Sequence, residues 1–290
     1  MREHPWISAV SYWEPERFVG SAWFQHAPFA FWLVDALEPR TIVELGTHRG
    51  FSFFAFCEAV KRLGLDTVVT ATDGWMGDEH AGFYGQAVYD SVAATTAELY
   101  AGIGELHRGY FDDFAGPTPD GSVDLLHIDG RHRYEDVWHD FESWLPNVSD
   151  RGVVICHDTT EHKADFGVWK FWEEVRDRYP SFGFEHGHGL GVLAVGPDVP
   201  ERMSRFIEAG MVEGDAIREF YHERGQRISA SALARADADR YAAAVPELGI
   251  AQKQLRAAEQ RIDDLESSTS WRLTAPVRRV GAALRPRNRG

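Results

Sequence analysis

The chain has 290 residues, 44% hydrophobic and 13% aromatic, enough to bury a substantial core and too apolar for a disordered chain. A net charge of −15 argues against nucleic-acid binding, and two cysteines, Cys57 and Cys156, exclude a disulfide framework; both sit in apolar runs, as buried free thiols do. There is no secretory h-region at the start and no bilayer-length apolar run, so the expected location is cytoplasmic.

Residues 1–40 are rich in aromatics, among them Trp6, Trp13, Trp23, Phe29 and Trp32, and read as an N-terminal helical cover on a sheet. From residue 41 to 197 strand-like and helix-like segments alternate. Strand candidates are Thr41–Leu45, Thr67–Thr72, Glu105–Arg108, Val123–Ile128, Val153–Cys156 and Gly191–Val195. They are short and mostly apolar, as strands covered on both faces are. Helix candidates are Phe51–Leu63, Ala87–Tyr100, Tyr134–Leu145 and Val168–Tyr179. The alternation predicts an α/β fold with a doubly wound, mainly parallel sheet, and places ligands beyond the carboxyl ends of the strands.

Residues 198–246 read as a helical extension. Over 247–267 a heptad pattern appears, with Leu248, Leu255 and Ile262 in one seam position and Ala251, Ala258 and Leu265 in the other. It predicts a short coiled coil able to make a homo-oligomer; an amphipathic helix folded on the body fits the same pattern. Residues 268–290 form a basic tail, with six arginines and no acid from Ser267 onward.

The chemistry-bearing residues follow the strands. Val43-Glu44-Leu45-Gly46-Thr47-His48-Arg49-Gly50 joins the first strand candidate to the first helix candidate. Its glycines permit close ligand approach, and the helix amino terminus offers unpaired N–H groups. The spacing is not G-x-G-x-x-G, which disfavours a nicotinamide-dependent oxidoreductase. Asp73 ends the second strand and can accept from both hydroxyls of a ribose; a turn or helix cap is the plainer role. Asp129 and Asp158 follow neighbouring strands and can converge on Mg2+ or another divalent cation, with His157 shifting the preference toward softer ions. The same acids can instead cap helices. His132 is the first candidate for a general base. His188, set among glycines in Glu185–Gly191, is the second.

These residues carry a resemblance. Glu44 to Gly50 resembles the first motif of class I S-adenosylmethionine-dependent methyltransferases. The run Asp124–Val137, with Ile128, Asp129, Gly130, His132 and Tyr134 in an I-D-G-x-H-x-Y pattern, and Asp150–Thr159 resemble the macrocin O-methyltransferase-like and cephalosporin-hydroxylase-like group. Asp73–Gly85, Phe166–Trp169 and His186–Gly196 extend the likeness to methyltransferases of bacterial surface-polysaccharide clusters. The resemblance implies a Rossmann-like seven-stranded sheet. It also implies S-adenosylmethionine held by Glu44, Gly46, Thr47, Gly50, Asp73 and Asp129, and O-methylation of a sugar or glycan hydroxyl. A divalent cation would be held by Asp129, His157 and Asp158; His157 stands where the group carries an acid. The tail motif Ser268–Arg278 is similar to endings found after coiled coils in polysaccharide glycosyltransferases, which implies docking to such enzymes or to an anionic membrane surface at the inner face of the cell membrane. A non-catalytic module that recruits glycosyltransferases through the coil and tail is the competing expectation.

Overall fold

The computed structural model describes residues 4–79, 82–163, 165–276 and 278. Two compact units divide the chain, Met1–Ala232 and Leu233–Gly290. The expected cover, sheet region and most of the helical extension therefore share the first unit.

Two 3-10 turns, Ala9–Tyr12 and Trp23–His26, precede helix α1 (Ala27–Leu37). There follow β1 (Thr41–Leu45), α2 (Phe51–Leu63), β2 (Val68–Asp73), the hairpin strands β3 (Gly77–Asp78) and β4 (Gly82–Phe83), α3 (Gln86–Leu99) and β5 (Gly104–Arg108). Next come α4 (Asp112–Ala115), β6 (Val123–Ile128), α5 (Tyr134–Trp144), β7 (Val148–His157), α6 (Val168–Val175), β8 (Ser181–Phe184) and β9 (Leu190–Ala194). The chain continues through α7 (Glu201–Ser267), kinked at Glu213, and α8 (Thr269–Leu273).

The sheet has seven strands in the order β5-β2-β1-β6-β7-β9-β8. Pairing is parallel from β5 to β7, and β9 runs antiparallel to both neighbours. This is the doubly wound, Rossmann-like arrangement the strand–helix alternation predicts. The winding reverses between β1 and β6, which opens a crevice at their carboxyl ends.

Helix α1 is buried nearly all round, because α2, the N-terminal turns and the first part of α7 pack about it. Phe29 meets the rings of Phe184, Phe206 and Tyr221. Burying each such side chain contributes roughly 1.5–3 kcal/mol. On the opposite face α5 and α6 bring Phe141, Trp144 and Phe171 onto the sheet. At the amino ends of the strands, the buried Asp124 accepts from the Arg40 backbone and guanidinium at 2.8–2.9 Å and from Ser149 at 2.6 Å. That cluster ties β1, β6 and β7 together far from the crevice.

Strand β8 and the β3–β4 hairpin were not expected from the sequence. Strand β8 is short and contains Gly183, whose missing side chain, like that of Gly191, makes room for the Trp172 ring. Cys57 and Cys156 are buried free thiols, and burial pushes both up.

In the second unit the seam residues Leu248, Leu255, Ile262 and Leu265 are exposed. Ser268 caps α8 by accepting from the Trp271 N–H at 3.2 Å, and the Arg278 guanidinium lies 3.7 Å from the centre of the Trp271 ring. The remaining tail arginines, at 279, 285, 287 and 289, lie outside the described residues. Among the described residues no helix is long and apolar enough to cross a membrane.

Candidate functional site

The loop from β1 to α2 is shaped by what it must pass. Gly46 has φ +90°, and a Cβ there would lie 2.1 Å from the Asp129 carbonyl oxygen. A side chain would therefore force β1 and β6 apart at the crevice. His48 also holds a left-handed backbone, φ +51°, a strained state for a non-glycine residue. The strain is stabilised by Asp73: its Oδ2 accepts from the Thr47 and His48 N–H groups at 2.9 and 2.8 Å, and its Oδ1 from Trp75 N–H at 2.5 Å. Asp73 is thus first a brace for the loop. Helix α2 then starts at Gly50 with no side-chain cap, leaving its first N–H groups for a ligand. The Thr47 hydroxyl beside it is buried and has no hydrogen-bond partner among the described residues.

Two cavities open on this loop. The first, about 460 Å3, runs past Asp73, Gly74, Tyr84, Gly109 and Phe111. The second, about 440 Å3, runs past Trp23, Thr47, Ser52, Asp158, Phe166 and His188. Gly46, His48, Asp129 and His132 line both. A group transferred between ligands in the two cavities would pass this shared wall.

The wall carries a compensated charge cluster. His132 Nε2 lies 2.8 Å from Asp158 Oδ2 and 3.8 Å from Asp129 Oδ1. His157 Nδ1 lies 3.2 Å from Asp129 Oδ1 and 3.5 Å from Asp158 Oδ2. Burial opposes every charge here, but the partners outweigh it. His132 is pushed up to about 10 by Asp129 and Asp158, and His157 is held well above its usual value by the same two acids. Both carboxylates are held below their ordinary range, chiefly by the His157 charge and the bonds from His132 and His157. Two carboxylates thus face two imidazoliums. In that state His132 is an acid, not a base. Asp129, His132 and Asp158 each offer a ligand atom within 4.8 Å of the others, a set that can hold a cation once His132 gives up its proton.

His157 is placed differently from the ligand the sequence suggests. It is buried at the end of β7, and its Nε2 donates to the Gly187 carbonyl at 2.9 Å. Its second nitrogen faces Asp129 Oδ1 at 3.2 Å, and the residue reaches the wall of the second cavity. Glu44 is also recessed: it is fully buried, in register with His127 on β6, and its Oε2 sits 2.9 Å from His127 Nδ1. It is not among the described residues lining either cavity. Gly46, Thr47, Asp73, Asp129, His132, His157, Asp158 and His188 do line cavities; Gly50 caps the helix behind them.

Several contributors carry no sequence motif. Glu161 Oε1 lies 2.5 Å from His188 Nδ1 in the second cavity, and Lys163 Nζ lies 2.7 Å from Glu161 Oε2. Gly20 to Trp23 line the same cavity, so the N-terminal segment is wall as well as cover. Glu79, on the β3–β4 hairpin, pairs with Arg131 at 3.0 Å and Arg133 at 2.6 Å across the first cavity's rim. Asp140 faces that cavity from α5, and burial pushes its carboxyl up to about 7.

A family model covers the segments that form the shared wall. Residues 43–159, less than half of the chain, match the family model of a methyltransferase domain. An uncharacterised protein of Sinorhizobium fredii is 50% identical over 184 residues, covering 63% of this chain. The chain spans only 20% of that relative's length. The O-methyltransferase TomG of Streptomyces achromogenes, solved with S-adenosylmethionine, is 18% identical with a TM-score of 0.45, over 63% of this chain and 83% of that one. An O-methyltransferase of Bacillus cereus, solved with S-adenosylhomocysteine, is 16% identical with a TM-score of 0.44, over 62% and 84%.

Proposed function

We propose that the chain is an S-adenosylmethionine-dependent O-methyltransferase acting on a sugar hydroxyl in surface-glycan assembly. The observation that carries this reading is the shared wall: two cavities meet at Gly46, Asp129 and His132, inside a region that matches a methyltransferase domain. The buried Thr47 hydroxyl, without a partner among the described residues, and the uncapped start of α2 fit the polar end of the cofactor. When bound, the cofactor supplies an electrophilic methyl group on a sulfonium.

The chain's own residues do the rest. Thr47, the N–H groups at the start of α2 and Asp73 orient the cofactor, and Gly46 lets it approach the β1–β6 junction. The acceptor enters the second cavity, where the partly exposed Phe166 offers an apolar surface to a sugar ring. Holding the hydroxyl in line contributes most of the rate. Its proton goes to His188, which Glu161 orients through Nδ1, leaving Nε2 as the base. The donor set of Asp129, His132 and Asp158 fits a divalent cation, which would polarise the acceptor oxygen. The exposed seam of α7 supports pairing with a second copy, and the tail supports docking to a glycosyltransferase or an anionic membrane.

Calorimetry with S-adenosylmethionine tests the central claim, and failure of the folded chain to bind it would overturn the reading. Turnover that persists in chelator would remove the cation. Light scattering with and without residues 247–290 tests the seam.

A further inference from the structure

The segment between β8 and β9 is held in an unfavourable shape. Gly187, His188 and Gly189 are consecutively left-handed, with φ of +58°, +71° and +87°. For His188 this costs about 1–2 kcal/mol, so its surroundings must impose it. One short bond, from Gly189 N–H to the His186 carbonyl at 2.9 Å, closes the turn. A second, from Thr160 N–H to the His188 carbonyl at 3.0 Å, fastens it to the segment after β7.

The Gly187 carbonyl has a less ordinary environment. It accepts from His157 Nε2 at 2.9 Å and from His26 Nε2 at 3.0 Å. The donors come from distant parts of the chain: His157 ends β7, and His26 precedes α1 in the N-terminal segment. Both rings are buried, His26 completely. They sit edge to face with centroids 5.3 Å apart, and His186 stacks on His26 at 5.0 Å. Among the described residues His26 Nδ1 has no hydrogen-bond partner, so the carbonyl is the polar anchor of the ring. Both lone pairs of a single carbonyl are therefore taken by imidazole N–H groups. The room is also fitted: a Cβ on Gly187 would lie 2.9 Å from His26 Nε2.

We infer that His26 and His157 form a clamp on the Gly187 carbonyl that holds the strained turn and so presents His188, paired with Glu161, to the acceptor cavity. His26 is a positioning residue: it lines neither cavity among the described residues. It acts through Gly187 on the residue that follows. The inference rests on the methyl-transfer reading only for the use made of His188; the clamp is a statement about the turn.

The test uses the full chain and its H26L, H26Q and G187A variants. Glutamine offers an N–H at about the reach of imidazole Nε2, whereas leucine offers none. Hydrogen exchange of residues 186–190 is followed by mass spectrometry. The Nδ1 proton of His188, bonded to Glu161, is followed by NMR at one fixed pH. Losing one buried hydrogen bond should speed exchange in the turn about tenfold in H26L and shift or broaden the His188 signal. G187A should do the same by pushing His26 away. H26Q should restore both readouts, which loss of packing alone would not allow. Unchanged exchange and an unchanged His188 signal in H26L, or an H26Q as loose as H26L, would overturn the clamp. If H26L does not fold, G187A against H26Q decides by the same criteria. Calorimetry on the native chain separates the two claims: absent cofactor binding sinks the methyl-transfer reading, while the exchange result still judges the clamp.

Discussion

Replacing Gly46 with alanine perturbs the crevice at its narrowest point. The backbone at φ +90° costs an L-residue about 1–2 kcal/mol before any contact is counted. The new Cβ would also sit 2.1 Å from the Asp129 carbonyl oxygen, 2.6 Å from its carbon and 2.8 Å from Gly130 N. All three are backbone atoms and cannot rotate away. Asp129 N–H bonds the Leu45 carbonyl at 2.8 Å, so retreat of the carbonyl opens the β1–β6 ladder. Overpacking of this kind adds about 1–3 kcal/mol, for a total loss of about 2–5 kcal/mol. That is a large share of the roughly 5–15 kcal/mol that holds an ordinary domain together. Gly64→Ala is the control: its φ is +67°, but among the described residues nothing lies within 4 Å of the added methyl, so it carries strain without collision. Urea unfolding should show G46A losing clearly more stability than G64A, and calorimetry should show G46A binding S-adenosylmethionine at least tenfold more weakly. Equal stabilities for the two variants, or native affinity in G46A, would refute the collision argument.

Asp73→Asn should loosen the loop, because an amide has one accepting oxygen and cannot serve both the Thr47 and His48 N–H groups and that of Trp75; we expect about 1–3 kcal/mol less stability and weaker cofactor binding. Lower stability with native affinity would make Asp73 a brace alone. Glu161→Gln should lower kcat on any sugar acceptor by about tenfold or more with cofactor affinity unchanged, and an unchanged kcat would remove the Glu161–His188 pair from the reaction. Asp140 gives a pH dependence. Its carboxyl titrates near 7 when folded and near 3.8 when unfolded, so the unfolded chain releases the proton first as pH rises. The folded state therefore loses stability between about pH 4 and 7, and the loss is complete above 7. D140N should be more stable than the native chain at pH 8, by on the order of 1–3 kcal/mol, with no gain at pH 4; urea unfolding at the two values decides.

What the sequence made legible was local. The ranges expected for β1, β6 and α2 match the structure residue for residue, because each is a short apolar run bounded by glycine or a charged turn. Strand β7 begins five residues earlier than its apolar run, at Val148 rather than Val153, because Val148 pairs with Val123 ahead of a register shift that no periodicity records. Strand β8 escaped notice because Gly183 breaks a four-residue segment, and its reason, the Trp172 ring, lies elsewhere in the chain. The site divides the same way. Asp73, Asp129 and Asp158 were visible as acids at strand ends. Glu161, Trp23 and His26 were not, since nothing in their neighbours marks them and only folding brings them to the cavity or the turn behind it.

His157 shows how far spacing can point to a place without fixing a role. A histidine beside Asp158 at a strand end reads as a ligand, and the cluster does form there. Yet imidazole has two nitrogens, and Nε2 is already bonded to the Gly187 carbonyl. Nδ1 faces Asp129 within a cluster whose charges already balance, two carboxylates against His132 and His157. A carboxylate at this position would reverse both effects: it would add a third negative charge to the wall, and it could not donate to a carbonyl. The same substitution that weakens the case for a cation ligand therefore supplies the donor that the β8–β9 turn requires. One residue thereby ties the charge of the shared wall to the placement of His188 across the cavity.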